Sequence, residues 1–189
     1  MPDLILLNGA PASGKSTLAR LLADDQDLTL VLDIDTVRGL LTRWEAAPTP
    51  AGHAARRLAL SMCRTHLSAG NDVVVPQFLQ REAFILELAS VAAEAGARFI
   101  EICLTNSPEI ASSMFASRAS SDEPNHRAAK LLQGDPEAVP VSDLYNTMIG
   151  MLAARPQTIF VESVPDDVGR SLENLRTAMD NRCGLESRS

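Results

Sequence analysis

Near the start of the chain, two glycines, a lysine and a serine stand at spacings that suit one kind of chemistry. Residues 9–16 read GAPASGKS, the complete G-x-x-x-x-G-K-[ST] pattern. Glycines allow a tight turn whose N–H groups point inward at phosphate oxygens, while the lysine reaches the outer phosphates and the serine ligates magnesium. The pattern therefore predicts a nucleoside triphosphate site. Its predicted contacts are Gly9, Ala12, Ser13, Gly14, Lys15, Ser16 and Thr17.

The elements around this loop occur in the order that the pattern requires. The apolar run 4–7 predicts a strand entering the loop, and the amphipathic stretch 16–22 predicts a helix leaving it. Strands alternating with helices along the rest of the chain predict an α/β protein of three layers with a five-stranded parallel sheet. The other predicted strands are 28–32, 72–76, 98–104 and 158–161, and the other predicted helices are 36–42, 51–69, 82–95, 106–118, 140–154 and 166–179.

The composition limits the classes of function. The chain has 189 residues and a formal net charge of −7, which disfavours nucleic acid and anionic membranes as partners. Its three cysteines are odd in number and far apart, so we expect free thiols. Without a leader-like segment or an apolar run of about 20 residues, we expect a soluble cytoplasmic protein of one domain, residues 1–189, as a monomer or homodimer.

Two carboxylates follow the second predicted strand, at the sheet edge where ligands of such folds gather. Transfer of a phosphoryl group to an alcohol needs a phosphate cradle, a metal, a proton acceptor and positive charge. Of Asp33 and Asp35, one can serve the magnesium ion and the other the acceptor hydroxyl. In the alternative interpretation, they open the following helix, with Asp35 as its N-cap.

Arginines and other polar or aromatic side chains supply the remaining candidates. Arg118 and Arg127 flank a polar segment, from which they can stabilise charge on the phosphates, or they are solvated surface residues. The predicted acceptor contacts are Asp35, Arg38, Trp44, Gln77 and Arg81. The arginines of this set can equally be exposed helix residues, and Trp44 can be a core residue. We expect residues 36–69 to form the acceptor-binding region and residues 118–132 to form a lid.

Together these residues resemble the small P-loop kinases, particularly the group that includes chloramphenicol phosphotransferase, with shikimate and gluconate kinases as more distant relatives. The resemblance is carried by residues 9–17, 33–35 and 118–127. It implies a nucleotide-kinase-like fold with a helical lid, and it implies ATP and Mg²⁺ as cofactors. It also implies that Asp35 is the base for the acceptor hydroxyl, that Asp33 supports the magnesium, that Arg118 is the lid arginine and that residues 162–165 border the adenine.

Two departures from this family matter. The third predicted strand ends in Val75-Pro76-Gln77 without an acidic residue, so magnesium must depend more on Ser16, water and Asp33. The glycine-rich segment that shikimate kinases carry there is also missing, which disfavours shikimate as the acceptor.

The leading hypothesis from the sequence is an ATP-dependent phosphotransferase acting on a hydroxyl of a small molecule. The acceptor can be an antibiotic, as in a resistance kinase, or a primary metabolite. Two alternatives stay open: a nucleotide-dependent regulatory ATPase, and a nucleoside or nucleotide-sugar kinase.

Overall fold

A sheet of five parallel strands forms the centre of the computed structural model, which describes residues 1–11, 13–106 and 141–186. The strands are β1 Asp3–Gly9, β2 Leu30–Val31, β3 Val73–Gln77, β4 Arg98–Thr105 and β5 Ile159–Glu162. They lie side by side in the order β2-β3-β1-β4-β5, and every neighbouring pair is parallel. The predicted fold class is confirmed.

Strand β1 lies in the middle of the sheet, and its side chains alternate between two separate cores. Leu4 and Leu6 belong to the core on one face, while Ile5 and Leu7 belong to the core on the other. All four are buried, as expected for a strand of a parallel sheet that is covered on both faces. The phosphate-binding pattern therefore begins at the end of a central strand that is buried on both faces.

Helices cover both faces of the sheet. They are α1 Lys15–Ala23, α2 Ile34–Gly39, α3 Pro48–Ser68, α4 Ala83–Glu94, α5 Val141–Ala153 and α6 Val168–Glu186, with a short 3₁₀ helix at Trp44–Ala46. Buried residues of α2, α3, α4 and α5 pack in the core with Leu4, and those of α1 and α6 pack in the core with Ile5. Within the described ranges, no helix is both long and apolar enough to cross a membrane.

Several boundaries differ from the sequence prediction for local reasons. The strand predicted over 28–32 shrinks to Leu30–Val31, because Leu28 has a left-handed backbone conformation with φ of 63° that no strand accommodates. Helix α2 begins at Ile34 rather than at residue 36. Helix α3 begins at Pro48 rather than at residue 51, because proline fits the first turn of a helix. The helix predicted over 106–118 and the lid predicted over 118–132 lie outside the described residues.

A buried ion pair joins the sheet to the turn between α5 and β5. Arg155 donates from Nε and Nη2 to the carboxylate of Glu101 on β4, at 2.9 Å in each case, and the Thr158 hydroxyl donates to the same carboxylate at 2.7 Å. The Glu101 side chain is fully buried and that of Arg155 is 8% exposed. The hydrogen bonds to Glu101 raise the pKa of Arg155, so this cation stays charged.

Two of the three cysteines are buried free thiols, Cys63 on α3 and Cys103 on β4. Burial raises the pKa of each to about 12. Thiols in this state are inert at neutral pH. The side chain of Cys183 lies outside the described residues.

Replacing Arg155 tests how much the buried ion pair contributes to the stability of the fold. We expect Arg155→Met to reduce the free energy of unfolding by about 3–5 kcal/mol, because it leaves the Glu101 carboxylate buried without a counter-charge. The double variant Arg155→Met/Glu101→Leu should recover most of that loss. As a control, Arg64→Met breaks the exposed Arg64–Glu94 pair and should change little. Urea denaturation measures all three, and a fully stable single variant would contradict the prediction.

Candidate functional site

The loop after β1 has the tight main-chain path that phosphate binding requires. A Cβ placed on Gly9 would lie 2.8 Å from the Ser13 hydroxyl and 3.1 Å from the carbonyl oxygen of Leu104, so no side chain fits there. Gly14 precedes α1 with φ of 83°, a left-handed conformation that glycine adopts without strain. The two glycines of the pattern are thus required by the loop itself, one by a close approach and the other by its backbone angle.

Lys15 and Ser16 begin α1, the helix whose positive end faces the loop. The Lys15 ammonium lies across the mouth of the loop and donates to the carbonyl oxygens of Gly9, at 2.9 Å, and Ala10, at 2.6 Å. Thr17 is the next residue of the same turn and is exposed. The Lys15 ammonium and the N–H groups of the first turn of α1 therefore lie at the loop, where a phosphate chain would bind.

Polar groups at the ends of β4 and β5 hold the loop from its other side. The Ser163 hydroxyl donates to the Ser13 carbonyl at 3.1 Å. When the Asn106 amide is oriented to satisfy its neighbours, its nitrogen donates to the carbonyls of Ser163 and Thr105, at 2.5 and 2.8 Å. The Tyr145 hydroxyl on α5 donates to the Asn106 carbonyl at 2.6 Å. A continuous chain of hydrogen bonds thus links α5 to the phosphate loop.

Asn8 connects the phosphate loop to the segment after β3. Its side chain is fully buried, and its Oδ1 accepts from the N–H groups of Gly9, at 2.8 Å, and Leu79, at 3.0 Å. Its Nδ2 donates to the carbonyl of Leu79 at 3.1 Å. The amide satisfies both main-chain groups of Leu79, much as a neighbouring strand would. Asn8 therefore fixes the position of the loop relative to the chain that follows Gln77.

Asp33 and Asp35 have different places at the start of α2. Asp33 caps the helix, because its Oδ1 accepts from the N–H groups of Asp35, at 2.8 Å, and Thr36, at 3.4 Å. The alternative in which Asp35 is the N-cap is wrong, since the helix begins two residues earlier than predicted and Asp35 lies in its first turn. The role of Asp33 in magnesium binding stays a prediction.

Asp35 is paired with Arg38, which in turn stacks on Trp44. The Arg38 Nη2 lies 2.8 Å from the Asp35 Oδ1, and the guanidinium carbon lies 4.8 Å from the centre of the Trp44 ring. Partial burial raises the pKa of Asp35 above its ordinary value of 3.8, and the charge of Asp33 adds to this. The charges of Arg38, Lys15 and Arg56 act in the opposite direction. Trp44 is half-buried and supports the arginine, so it is not simply a core residue.

Arg56 on α3 was not among the residues that the sequence singled out. Its guanidinium carbon lies 5.7 Å from the centre of the Phe84 ring, in the range of a cation–π contact. Its charge lowers the pKa of Asp35, so it belongs to the same electrostatic environment. The sequence carried little signal for it, because arginine is common on exposed helix faces.

The remaining predicted residues fall into two groups. Gln77 is the last residue of β3, half-buried and in register with Asn8 at the end of β1, whereas Arg81 is exposed in the turn before α4. Ala12, Arg118 and Arg127 lie outside the described residues. Their predicted contacts with nucleotide stay predictions.

The residues present fit magnesium and a triphosphate. Magnesium prefers oxygen ligands and is usually bound through one or two protein groups, with water and phosphate oxygens completing its shell. Ser16, which follows Lys15 in the first turn of α1, carries such a group in its hydroxyl, and Asp33 follows the carboxyl end of β2.

Comparison with protein families agrees with this geometry. The sequence model described as "AAA domain" (AAA_33) matches residues 4–134, more than half of the chain. The chain belongs to this family. Its fold is that of the small P-loop kinases, as the sequence indicated. A comparison with curated proteins gave no significant match.

Solved structures share the fold at low sequence identity. A gluconokinase from Sinorhizobium meliloti 1021 is 15% identical with a TM-score of 0.61, over 100% of this chain and 98% of its own. A "putative kinase" from Chloroflexus aurantiacus J-10-fl is 17% identical with a TM-score of 0.65, over 94% and 98%. A chain of the Pnkp1/Rnl/Hen1 RNA repair complex is 15% identical with a TM-score of 0.60, over 82% of this chain and 47% of its own. These likenesses establish the P-loop kinase fold.

Replacing Asn8 tests the connection between the phosphate loop and the chain after β3. We expect Asn8→Leu to reduce the free energy of unfolding by about 2–4 kcal/mol, because three buried main-chain groups lose their partner. Hydrogen exchange of the Gly9 and Leu79 amides should accelerate in the folded state. As a control, Asn174→Leu removes another bond from an asparagine to a main-chain carbonyl, the 3.2 Å contact with Glu162 on a more exposed helix face. Equal effects of the two variants would contradict the role given to Asn8.

Proposed function

We propose that this protein is an ATP-dependent, magnesium-requiring kinase that phosphorylates a hydroxyl group of a small molecule. The observation that carries the proposal is the placement of Asp35. This carboxylate stands beyond the end of β2, within the electrostatic influence of Lys15 on the phosphate loop, and its pKa is raised. A phosphate loop alone fits switches and motors as well as kinases. A carboxylate suited to accept a proton beside that loop favours transfer to a hydroxyl.

Each group of the proposed site has a separate task. Asp35 accepts the proton of the acceptor hydroxyl, and Arg38 holds that carboxylate in place through the 2.8 Å ion pair. Lys15 and the N–H groups of the loop bind the phosphates and offset their charge. Ser16, with Asp33 in support, holds the magnesium ion. When bound, ATP supplies the phosphoryl group and magnesium reduces the repulsion between its charged oxygens.

The acceptor side of the proposed site is built by α2, the 3₁₀ helix and α3. Arg38 pairs with Asp35 and stacks on Trp44. Gln77, at the end of β3, and Arg81, in the turn before α4, are proposed as further acceptor contacts. Arg118 and Arg127 are proposed to cover the phosphates. Hydroxylated antibiotics and primary metabolites both belong in the acceptor panel that tests this proposal.

Variants of Asp33 and Asp35 distinguish a catalytic carboxylate from one that only caps a helix. We expect Asp35→Asn to leave nucleotide affinity nearly unchanged and to lower kcat roughly 100-fold or more, because an amide cannot accept the proton. Asp33→Asn is the matched variant, since asparagine caps helices as well as aspartate does. If Asp33 also supports magnesium, its variant should need more magnesium to reach half-maximal rate. Full turnover in Asp35→Asn would rule it out as the base.

The pH dependence follows from the raised pKa of Asp35. A general base works only when ionised, so kcat/KM should fall as the pH drops through a pKa above 3.8. Removing the positive charge in Arg38→Met takes away an influence that lowers this pKa, and the acid limb should then shift to higher pH. Measuring kcat/KM between pH 4 and 9 checks this. If the acid limb of Arg38→Met shifted to lower pH instead, a group other than Asp35 would control the loss of kcat/KM at low pH.

Product analysis gives the direct test of the function. The pure protein is incubated with ATP, magnesium and the acceptor panel, and products are identified by mass spectrometry. We expect at least one acceptor to gain a single phosphoryl group, and Lys15→Ala to abolish that product. Tight ATP binding without any phosphorylated product would instead support the regulatory ATPase.

A further inference from the structure

The first turns of α5 are tied to two strand ends of the sheet. The Gln80 side chain, in the segment that follows β3, donates to the main-chain carbonyl of Leu144 at 3.2 Å. The next residue, Tyr145, binds the chain after β4, because its hydroxyl donates to the Asn106 carbonyl at 2.6 Å and accepts from the Asn106 N–H at 3.3 Å. Helix α5 therefore bridges the carboxyl ends of the two strands that flank β1.

The same two strand ends are joined to the phosphate loop. After β3, both main-chain groups of Leu79 bond to the side chain of Asn8. After β4, the side-chain amide of Asn106 donates to the Ser163 carbonyl, and the Ser163 hydroxyl donates to the Ser13 carbonyl. The phosphate loop, the two strand ends and α5 thus form a closed ring of contacts.

The contact with Ser13 sets the direction of a main-chain group in the loop. The peptide unit between Ser13 and Gly14 is trans and planar, so the Ser13 carbonyl and the Gly14 N–H point to opposite sides. Holding that carbonyl from the side of Ser163 turns the Gly14 N–H away from Ser163. The N–H groups of the loop are the groups predicted to bind phosphate oxygens. The hydrogen bonds that start at Tyr145 therefore determine the orientation of one such N–H.

The Tyr145 side chain is buried in the core that also contains Met148 and Leu152 of α5. Packing therefore fixes the place of its ring. Burial raises the pKa of Tyr145, so the hydroxyl keeps its proton at neutral pH and stays a donor to the Asn106 carbonyl. Loss of this hydroxyl alone would remove a partner from both main-chain groups of Asn106.

We propose that Tyr145 is a positioning residue for nucleotide binding, which holds the phosphate loop in its binding conformation through Asn106 and Ser163. It acts through these residues rather than by touching the nucleotide, because its hydroxyl is already bonded to both main-chain groups of Asn106. The inference rests on the proposed function, since it takes the loop to be a nucleotide site. A purely structural role would instead lower the stability of the fold and leave the affinity of the folded protein unchanged.

The variant Tyr145→Phe removes the hydroxyl and keeps the buried ring. Thr147→Val is the matched control on the same helix, because it removes an exposed hydroxyl that donates to the Asp143 carbonyl at 2.8 Å. Calorimetry measures the affinity of each folded variant for a non-hydrolysable ATP analogue with magnesium, and urea denaturation measures the free energy of unfolding. We expect Tyr145→Phe to raise the dissociation constant about fivefold or more, and Thr147→Val to change it less than about twofold. An unchanged dissociation constant in Tyr145→Phe would overturn the inference.

A double-mutant cycle tests the path from Tyr145 to the loop. Ser163→Ala removes the hydroxyl that bonds to the Ser13 carbonyl, and it should weaken analogue binding by itself. If Tyr145 acts through Ser163, the double variant should bind the analogue no more weakly than the more affected single variant. Effects that multiply in the double variant would show that the two residues act independently, against the inference.

Hydrogen exchange of the unmodified protein gives a test that needs no variant. Linkage is reciprocal, so the analogue should slow exchange of the Asn106 N–H, which bonds to the Tyr145 hydroxyl. The Arg98 N–H, which bonds to the Pro2 carbonyl at the other end of β4, is the control and should change less. Equal slowing of both amides would show only global stabilisation and would contradict the inference.

Turnover and binding together separate this inference from the proposed function. If an acceptor is phosphorylated, Tyr145→Phe should raise KM for ATP about fivefold and change kcat less than about twofold, because Asp35 is untouched. Analogue binding that depends on Tyr145, without any phosphorylated product, would support the inference and contradict the kinase. A kinase whose affinity for the analogue does not change in Tyr145→Phe contradicts only the inference. If the unmodified protein binds no analogue, the nucleotide site fails and the inference fails with it.

Discussion

The close approach of three main-chain segments at Gly9 is the constraint on which the site depends. The carbonyl of Leu104 and the hydroxyl of Ser13 leave no space for a Cβ, so the end of β1 is fixed against β4 and against the loop that it begins. Hydrogen bonds of Asn8 connect the end of β1 to Leu79. Ser163, which follows β5, donates a hydrogen bond to the phosphate loop. The phosphate loop is therefore held by both neighbouring strands before any ligand binds, which limits the reorganisation that binding requires.

The positive charges that act on Asp35 contrast with the negative net charge of the chain. In a protein of net charge −7, the cations Lys15, Arg38 and Arg56 all act on the Asp35 carboxylate, and the charge of the nearby Asp33 opposes them. Burial raises the pKa of that carboxylate while the three cations lower it. The net effect raises the pKa of Asp35 above that of an ordinary aspartate, in the direction that favours a general base.

The sequence predicted those parts of the structure that depend on local pattern. The strand, the loop and α1 follow from adjacent residues, and the alternation of strands and helices was sufficient for the parallel sheet. The sequence did not predict that Asp33 caps α2 while Asp35 lies in its first turn, because this depends on α2 starting two residues earlier than predicted. The contacts of Asn8 with Leu79 join residues 71 apart, and those of Arg155 with Glu101 join residues 54 apart. No periodicity records such pairings, and a polar residue at the end of an apolar strand was the only signal for Asn8.

We propose that the phosphate loop and Asp35 are two halves of one transfer site. A crystal structure with magnesium and a non-hydrolysable ATP analogue would give the distance between the Asp35 carboxylate and the γ-phosphorus. A hydroxyl oxygen must lie about 2.6–3.2 Å from the base and about 3–3.5 Å from the phosphorus. We therefore predict a separation of about 7 Å or less, with room for one hydroxyl between the two groups. A separation of more than about 10 Å, or a γ-phosphate directed away from α2, would contradict the account.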